Sequence, residues 1–145
     1  MSAHPVLTPR AIGQAEKTLN AILARLLEGT GLTEPEWVIL TLAATSGEPA
    51  ARDQFTRMVA GALKISDADA QARVDAMIAA QQLQITGAGQ AVTVTGAAQQ
   101  LHSQIRATVA GITERLWGDL PADDLATVGR VLAIITERAN AELAR

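Results

Sequence analysis

The chain has 145 residues, 48% of them hydrophobic and 19% charged, which is typical of a folded globular protein and excludes a disordered one. It has no cysteine, so disulfides, thiol nucleophiles and thiolate metal sites are excluded. The net charge of −3 argues against a strongly basic nucleic-acid binder but permits a local basic patch, and three aromatic residues are too few for a platform that stacks single-stranded nucleic acid.

The N-terminal third of the chain predicts two helices with different apolar patterns. Apolar residues recur at three- and four-residue steps over residues 10–28, which predicts an amphipathic helix that ends at the glycines after it. In the next segment Thr33 and Glu36 have the spacing of a capping box, and the apolar run that follows leaves almost no polar face. We therefore expect the second helix to be buried on most sides.

Two more helices and a hairpin are predicted in the middle of the chain. The third helix covers residues 49–63, and Ser66 caps a fourth, with Asp69 placed to complete a second capping box. Residues 83–95 contain two short runs of alternating apolar residues around a Gly-Ala-Gly turn. This pattern predicts a β-hairpin that carries no charged side chain.

Two long helices end the predicted order, which is α–α–α–α–β–β–α–α. Thr95 caps the first, over residues 97–117, and Pro121 begins the second. The long helices at both ends of the chain have apolar faces that the small middle domain cannot cover, so we predict a homodimer. The alternative is that these helices fold back on their own chain.

This order predicts a mainly α fold in which a winged helix-turn-helix is flanked by long terminal dimerisation helices. We expect a single domain over residues 1–145, with the winged helix-turn-helix lobe at 33–95. The dimerisation helices are then residues 10–28 and 97–144.

Three stretches of the sequence resemble the MarR family of winged-helix regulators. The stretch "LTEPEWVILTLAA" leads the helix-turn-helix, "VTVTGAAQQL" resembles the family's step from second wing strand to long helix, and "LPADDLATVGRVLAII" resembles its final helix. The resemblance covers residues 10–143 and implies a homodimer whose first, fifth and sixth helices intertwine. Family members typically bind palindromic operators as repressors, and many release DNA when a small aromatic or phenolic ligand binds. Release from DNA by oxidation of a cysteine is excluded, because the chain has no cysteine.

The sequence departs from the family where DNA would bind. Between Ser66 and Thr95 there is one basic residue and three acidic ones, and the hairpin lacks the arginine that the family's wing usually holds. Specific binders make about 6–10 phosphate contacts, so we expect weak binding to double-stranded DNA at physiological salt. The candidate DNA-binding residues are Arg52, Arg57, Lys64, Gln71 and Arg73.

Each of these candidates also has a structural interpretation. Arg73 lies within the fourth helix, which corresponds to the recognition helix of the MarR family, but it could instead pair with Asp69 at i, i+4. Arg52 and Arg57 could contact phosphates or lie on an ordinary solvated face. Gln71 could bind adenine or have no specific role on a polar helix face.

The candidate ligand pocket consists of Trp37, His102 and Arg106. The resemblance places Trp37 beside the family's ligand pocket, with core packing as the alternative. His102 and Arg106 are spaced i, i+4 and could bind an anionic ligand, or they could be solvated or lie at a dimer contact. His4 and His102 are too few for a metal site.

No set of residues in the sequence predicts catalysis. Asp123 and Asp124 are adjacent in a helix and point about 100° apart, so they are not placed as a catalytic pair. In the first turn of the helix their carboxylates interact favourably with the helix dipole. We therefore expect no enzyme activity and no cofactor. Residues 1–10 have no signal-peptide core, and the longest apolar run, 37–44, is too short to cross a bilayer, so we expect a cytoplasmic protein with no membrane partner.

The sequence thus predicts a MarR-like homodimeric, ligand-responsive transcriptional regulator with weak or altered DNA contact. The alternative has the same fold without the DNA. In that case the protein is a ligand-binding or protein-interaction dimer, since the fourth helix is acidic and the hairpin uncharged.

Overall fold

The structure, a computed structural model, describes residues 6–145, so His4 lies outside the described residues. The order of six helices and one hairpin in this part of the chain confirms the predicted mainly α fold class. The elements are α1 (Pro9–Leu27), α2 (Glu34–Thr45), α3 (Arg52–Leu63), α4 (Asp67–Ala79), β1 (Leu83–Thr86), β2 (Ala91–Val94), α5 (Gly96–Trp117) and α6 (Ala122–Leu143).

Hydroxyl side chains begin several of these helices, because the first backbone N–H groups of a helix have no partner within it. The Thr33 N–H donates to the Glu36 carboxylate at 3.1 Å in the predicted capping box of α2. Ser66 Oγ accepts the backbone N–H of Asp69 at 3.1 Å and so caps α4. Thr95 Oγ1 accepts the N–H of Ala98 at 3.3 Å at the start of α5.

Helix α3 begins at Arg52, so the predicted start at residue 49 is wrong. The residues just before Arg52 pair with the hairpin instead of joining α3. The Val92 N–H donates to the Ala50 carbonyl at 2.9 Å, and Ala51 forms an antiparallel bridge with Ala91. Residues 50 and 51 therefore pair with the hairpin, and the helix begins at Arg52, three residues after the predicted start.

Strands β1 and β2 form the predicted antiparallel hairpin, with Leu83 opposite Val94 and Thr86 opposite Ala91. Gly87 turns the chain at a φ of 75°, in the left-handed region that favours glycine. The hairpin side chains that point inward, Leu83 and Val92, are each 1% exposed.

The chain divides into two compact units, one that ends at Arg106 and one over Ala107–Arg145. In the first unit, apolar side chains from α2, α3, α4 and the hairpin form the core. Two residues of α2, Ile39 and Leu40, are fully buried, and most of its other residues are partly buried. This agrees with the apolar run in its sequence. The largest buried apolar side chains are Ile39, Leu40, Phe55, Val59, Val74, Met77, Leu83 and Val92.

The second unit contains the end of α5 and all of α6. None of the 22 residues of α6 is buried. Large apolar side chains exposed in this unit are Leu116, Trp117, Leu120, Val128, Leu132 and Leu143. Within residues 6–145, no helix has both the length and the apolar character needed to span a membrane.

Candidate nucleic-acid interface and buried histidine

We refer to residues 51–95, which hold α3, α4 and the hairpin, as the winged segment. Helix α4 buries Ala70, Val74 and Met77 against the core of its unit. On the opposite side it exposes alanines at four- and three-residue steps, a spacing that places them on one face. We call these residues, Ala68, Ala72, Ala76 and Ala79, the alanine face.

The alanine face has no group that can form a hydrogen bond with a base edge. Alanine can contact the methyl group of thymine, but it cannot bind guanine or adenine as Arg, Asn or Gln do. The sequence analysis missed this face, although the i, i+4, i+8, i+11 spacing of its members is visible in the sequence. Any base recognition by α4 would therefore have to come from the residues that flank this face.

Gln71 and Arg73 occupy those flanks and are both exposed. Gln71 and Arg73 are two positions apart, which places them about 200° apart around the helix axis. The two side chains therefore cannot bind the same base pair. Arg73 forms no ion pair with any described residue, so it does not pair with Asp69 here. Its guanidinium is accessible to a phosphate or a base.

Arg52 has a partner within the protein. As the first residue of α3 it forms an ion pair with Asp75 on α4, between Nη2 and Oδ1. The two side chains are 40% and 45% exposed. Arg57 is exposed on α3, and Lys64 is exposed at its C-cap with a left-handed φ of 57°.

The charges of the winged segment balance. It contains four cations and four carboxylates, and residues 83–95 contain neither. Lys and Arg contacts with phosphates supply essentially all non-specific affinity for DNA, and the hairpin has no cation that could contribute to such affinity. Any electrostatic attraction must come from α3 and α4.

A second group of predicted residues meets on α2 and α5. His102 of α5 is 1% exposed, and its Nε2 lies 3.1 Å from Thr41 Oγ1. Its ring stacks on Trp37, with ring centroids 4.7 Å apart and an interplanar angle of 27°. Trp37 and Thr41 are one turn apart on α2, so His102 fixes the start of α5 against that helix.

The surroundings of His102 favour its neutral form over its charged form. Burial lowers its pKa below the usual 6.5, and the nearby Arg106 guanidinium lowers the pKa further. A neutral, buried imidazole offers no charge to an anionic ligand, whereas Arg106 is exposed. The structure thus brings Trp37 and His102 into contact, and their role in ligand binding stays a prediction.

The surface of the unit that ends at Arg106 includes two depressions that described residues line. One, of about 190 Å³, is lined by Leu32, Leu40, Leu101 and neighbours. The other, of about 500 Å³, lies at the base of the hairpin beside Ile78 and Ile85. Neither is lined by the three predicted pocket residues. Among the described residues, no group of three or more His, Asp and Glu side chains could hold a metal ion.

The fold of this chain is similar to that of several solved structures. No protein-family model matches the sequence, and no curated protein matches it. A MarR/EmrR family transcriptional regulator from Acinetobacter sp. ADP1 superposes with a TM-score of 0.73 at 12% identity, covering 91% of this chain and 94% of that one. A MarR protein from Peptoclostridium difficile gives 0.71 at 14% identity, covering 98% and 97%.

A third similar structure is CouR from Rhodococcus jostii RHA1, bound to p-coumaroyl-CoA. Its TM-score is 0.69 at 18% identity, and the match covers 86% of this chain and 88% of CouR. At these identities the likeness establishes the fold, and function has to be argued from the site. The resemblance expected from the sequence is thereby confirmed: the chain has the winged helix-turn-helix fold of MarR family transcriptional regulators.

Proposed function

We propose that this protein is a MarR-like homodimeric transcriptional regulator that binds duplex DNA through few charged groups. The observation that carries the proposal is the complete winged segment, with Arg73 exposed on α4 and Arg57 exposed on α3. Gln71 and Lys64 are the further candidate contacts. Arg52 enters the interface only if its pairing with Asp75 is broken.

A test of DNA binding is fluorescence anisotropy with a labelled duplex from upstream of the protein's own gene, against a scrambled duplex. Arg73→Gln should weaken binding to the upstream duplex about tenfold, as expected for the loss of one strong contact. Arg138→Gln on α6 removes the same charge outside the winged segment and should leave affinity nearly unchanged. Equal affinity of Arg73→Gln and the unmodified protein would remove Arg73 from the interface.

The dimer is supported by the second unit. A 22-residue helix without a buried residue, with Val128 53% and Leu132 40% exposed, has an apolar face that a second copy would cover. The proposal therefore assigns dimerisation to α6 together with α1 and α5.

Sedimentation velocity tests the dimer. The unmodified chain should sediment as a dimer, and the double variant Val128→Asp/Leu132→Asp as a monomer, because burying two carboxylates in an apolar interface is strongly unfavourable. Ala126→Asp introduces a carboxylate on the opposite side of α6 and is the matched control. A monomeric unmodified protein would contradict the proposal.

The ligand response is the third part of the proposal. The complex of CouR with p-coumaroyl-CoA supports it by analogy. We assign the contact to Trp37, His102 and Arg106, which requires the stacked rings to separate. In a Trp117→Phe background, p-coumaroyl-CoA should change the fluorescence of Trp37. An unchanged spectrum together with an unchanged melting temperature would remove this ligand class.

The alanine face and the balanced charge favour one alternative. In it, the MarR fold serves as a ligand-binding or protein-interaction dimer that no longer binds DNA. The two functions differ in one observable. The alternative requires equal affinity for upstream and scrambled duplexes even at low salt.

A further inference from the structure

The ion pair between Arg52 and Asp75 connects the first residue of α3 to α4 across 23 positions of sequence. Among the three arginines of the winged segment, Arg52 is the one that forms an ion pair with a carboxylate of the described residues, Asp75 of α4. The position of that carboxylate decides what the contact does.

Asp75 lies beside the alanine face. It follows Ala72 by three residues and precedes Ala79 by four, so helical geometry places it next to both. The Arg52 guanidinium, bonded to Asp75, therefore lies at the edge of the surface that a winged helix presents to DNA. A phosphate approaching α4 on this side would meet an arginine that already has an anionic partner.

The exposure of the pair indicates what it contributes. Both side chains are close to half exposed, and ion pairs at such positions add little to stability. The pair matters more for the charge that the winged segment presents than for its stability. Pairing Arg52 with an internal carboxylate removes one of the four cations of the winged segment from the groups that could contact phosphates.

We propose that Asp75 is an internal competitor for DNA phosphate: it occupies Arg52 and so keeps the affinity of the winged segment for DNA low. The inference rests on the proposed function, because it concerns the same interface. It assigns Asp75, a residue of the recognition helix, a role opposite to that of a base-reading contact. Removing its charge makes Arg52 available to the phosphate backbone.

The experiment is a salt titration of binding to a scrambled duplex of mixed sequence, which reports phosphate contacts alone. Asp75→Asn should tighten binding and steepen the slope of log affinity against log salt by about 0.9 for each protomer in contact with DNA. Asp69→Asn is the matched control, because it removes one carboxylate from the same helix without touching the partner of Arg52. The double variant Arg52→Gln/Asp75→Asn should return to the slope of the unmodified protein.

Each outcome decides the inference. A slope for Asp75→Asn equal to that of Asp69→Asn would overturn it, and so would a double variant that stays as steep as Asp75→Asn. Absence of binding by Asp75→Asn at about 20 mM salt would also overturn it, since non-specific affinity is greatest there. Circular dichroism confirms that each variant is folded, and Asp75→Ala should reproduce the slope of Asp75→Asn.

Failure of the proposed function has a different signature. If the unmodified protein shows no preference for its upstream duplex, the regulator is lost. The slopes measured on the scrambled duplex still decide whether Asp75 masks Arg52.

Discussion

His102 makes the stability of the first unit depend on pH. Burial and the Arg106 guanidinium both lower its pKa in the folded chain below the ordinary 6.5, so folding favours the neutral ring. The stabilisation is complete above the unfolded pKa. It is lost as pH falls from about 6.5 towards the lower folded value, because the unfolded chain then binds the proton more tightly.

Urea unfolding at about pH 7.5 and about pH 5.5 checks this dependence. The unmodified protein should lose more unfolding free energy over this range than His102→Gln. Glutamine can keep a hydrogen bond with Thr41 but has no proton to gain. Identical losses in both proteins would show that His102 does not titrate in this way.

Thr93 carries an unsatisfied hydroxyl. Its Oγ1 is buried and has no hydrogen-bond partner, a state that costs about 1–3 kcal/mol. Thr93→Val keeps the shape and the strand preference while removing the hydroxyl, so it should raise the free energy of unfolding by about 1 kcal/mol. Thr86 is exposed on the neighbouring strand, and Thr86→Val should change stability by less than about 0.5 kcal/mol. Equal effects of the two substitutions in urea unfolding would contradict this account.

At the scale of elements, Gly111 inside α5 and Gly118 directly after it should respond to substitution in opposite ways. A Cβ at Gly118 would lie 2.5 Å from the Glu114 carbonyl oxygen, so Gly118→Ala should destabilise the protein by about 1–3 kcal/mol. A Cβ at Gly111 would meet only the end of Arg115, at 4.0 Å. Gly111→Ala should therefore stabilise the helix by up to about 1 kcal/mol. Thermal unfolding of both variants checks the prediction, and a shift of the same sign in each would contradict it.

The helices and the hairpin were predictable because local signals specify them. Capping residues at Thr33 and Ser66, apolar periodicity and the Gly-Ala-Gly turn act over a few residues. The start of α3 was not predictable in this way. Residues 50 and 51 pair with the hairpin some 40 positions later, and this tertiary pairing overrides their local preference.

Some features of the candidate site are likewise predictable from the sequence, and others depend on tertiary packing. The exposed Arg73 and the uncharged hairpin follow from the sequence, and so does the alanine face once its periodicity is examined. The partners of Arg52 and His102 do not. Asp75 and Thr41 are 23 and 61 positions away, and only packing of one helix on another brings them together.

For the whole molecule, charge limits how strongly DNA can be bound. With Arg52 paired to Asp75, the winged segment offers Arg57, Lys64 and Arg73 as further cations. Two protomers then supply at most six such contacts, and the slope of log affinity against log salt should not exceed about 5. The protein as a whole carries a net charge of −3, which adds no long-range attraction to DNA.

The most direct test of this account is the salt dependence of selective DNA binding by the unmodified protein. Anisotropy titrations of the upstream and scrambled duplexes, from about 20 mM salt upwards, measure both selectivity and slope. A regulator that makes few phosphate contacts should bind the upstream duplex more tightly than the scrambled one, with a slope no steeper than about 5. Equal binding to the two duplexes at every salt concentration would contradict it and would favour a dimer that has kept the MarR fold without its DNA.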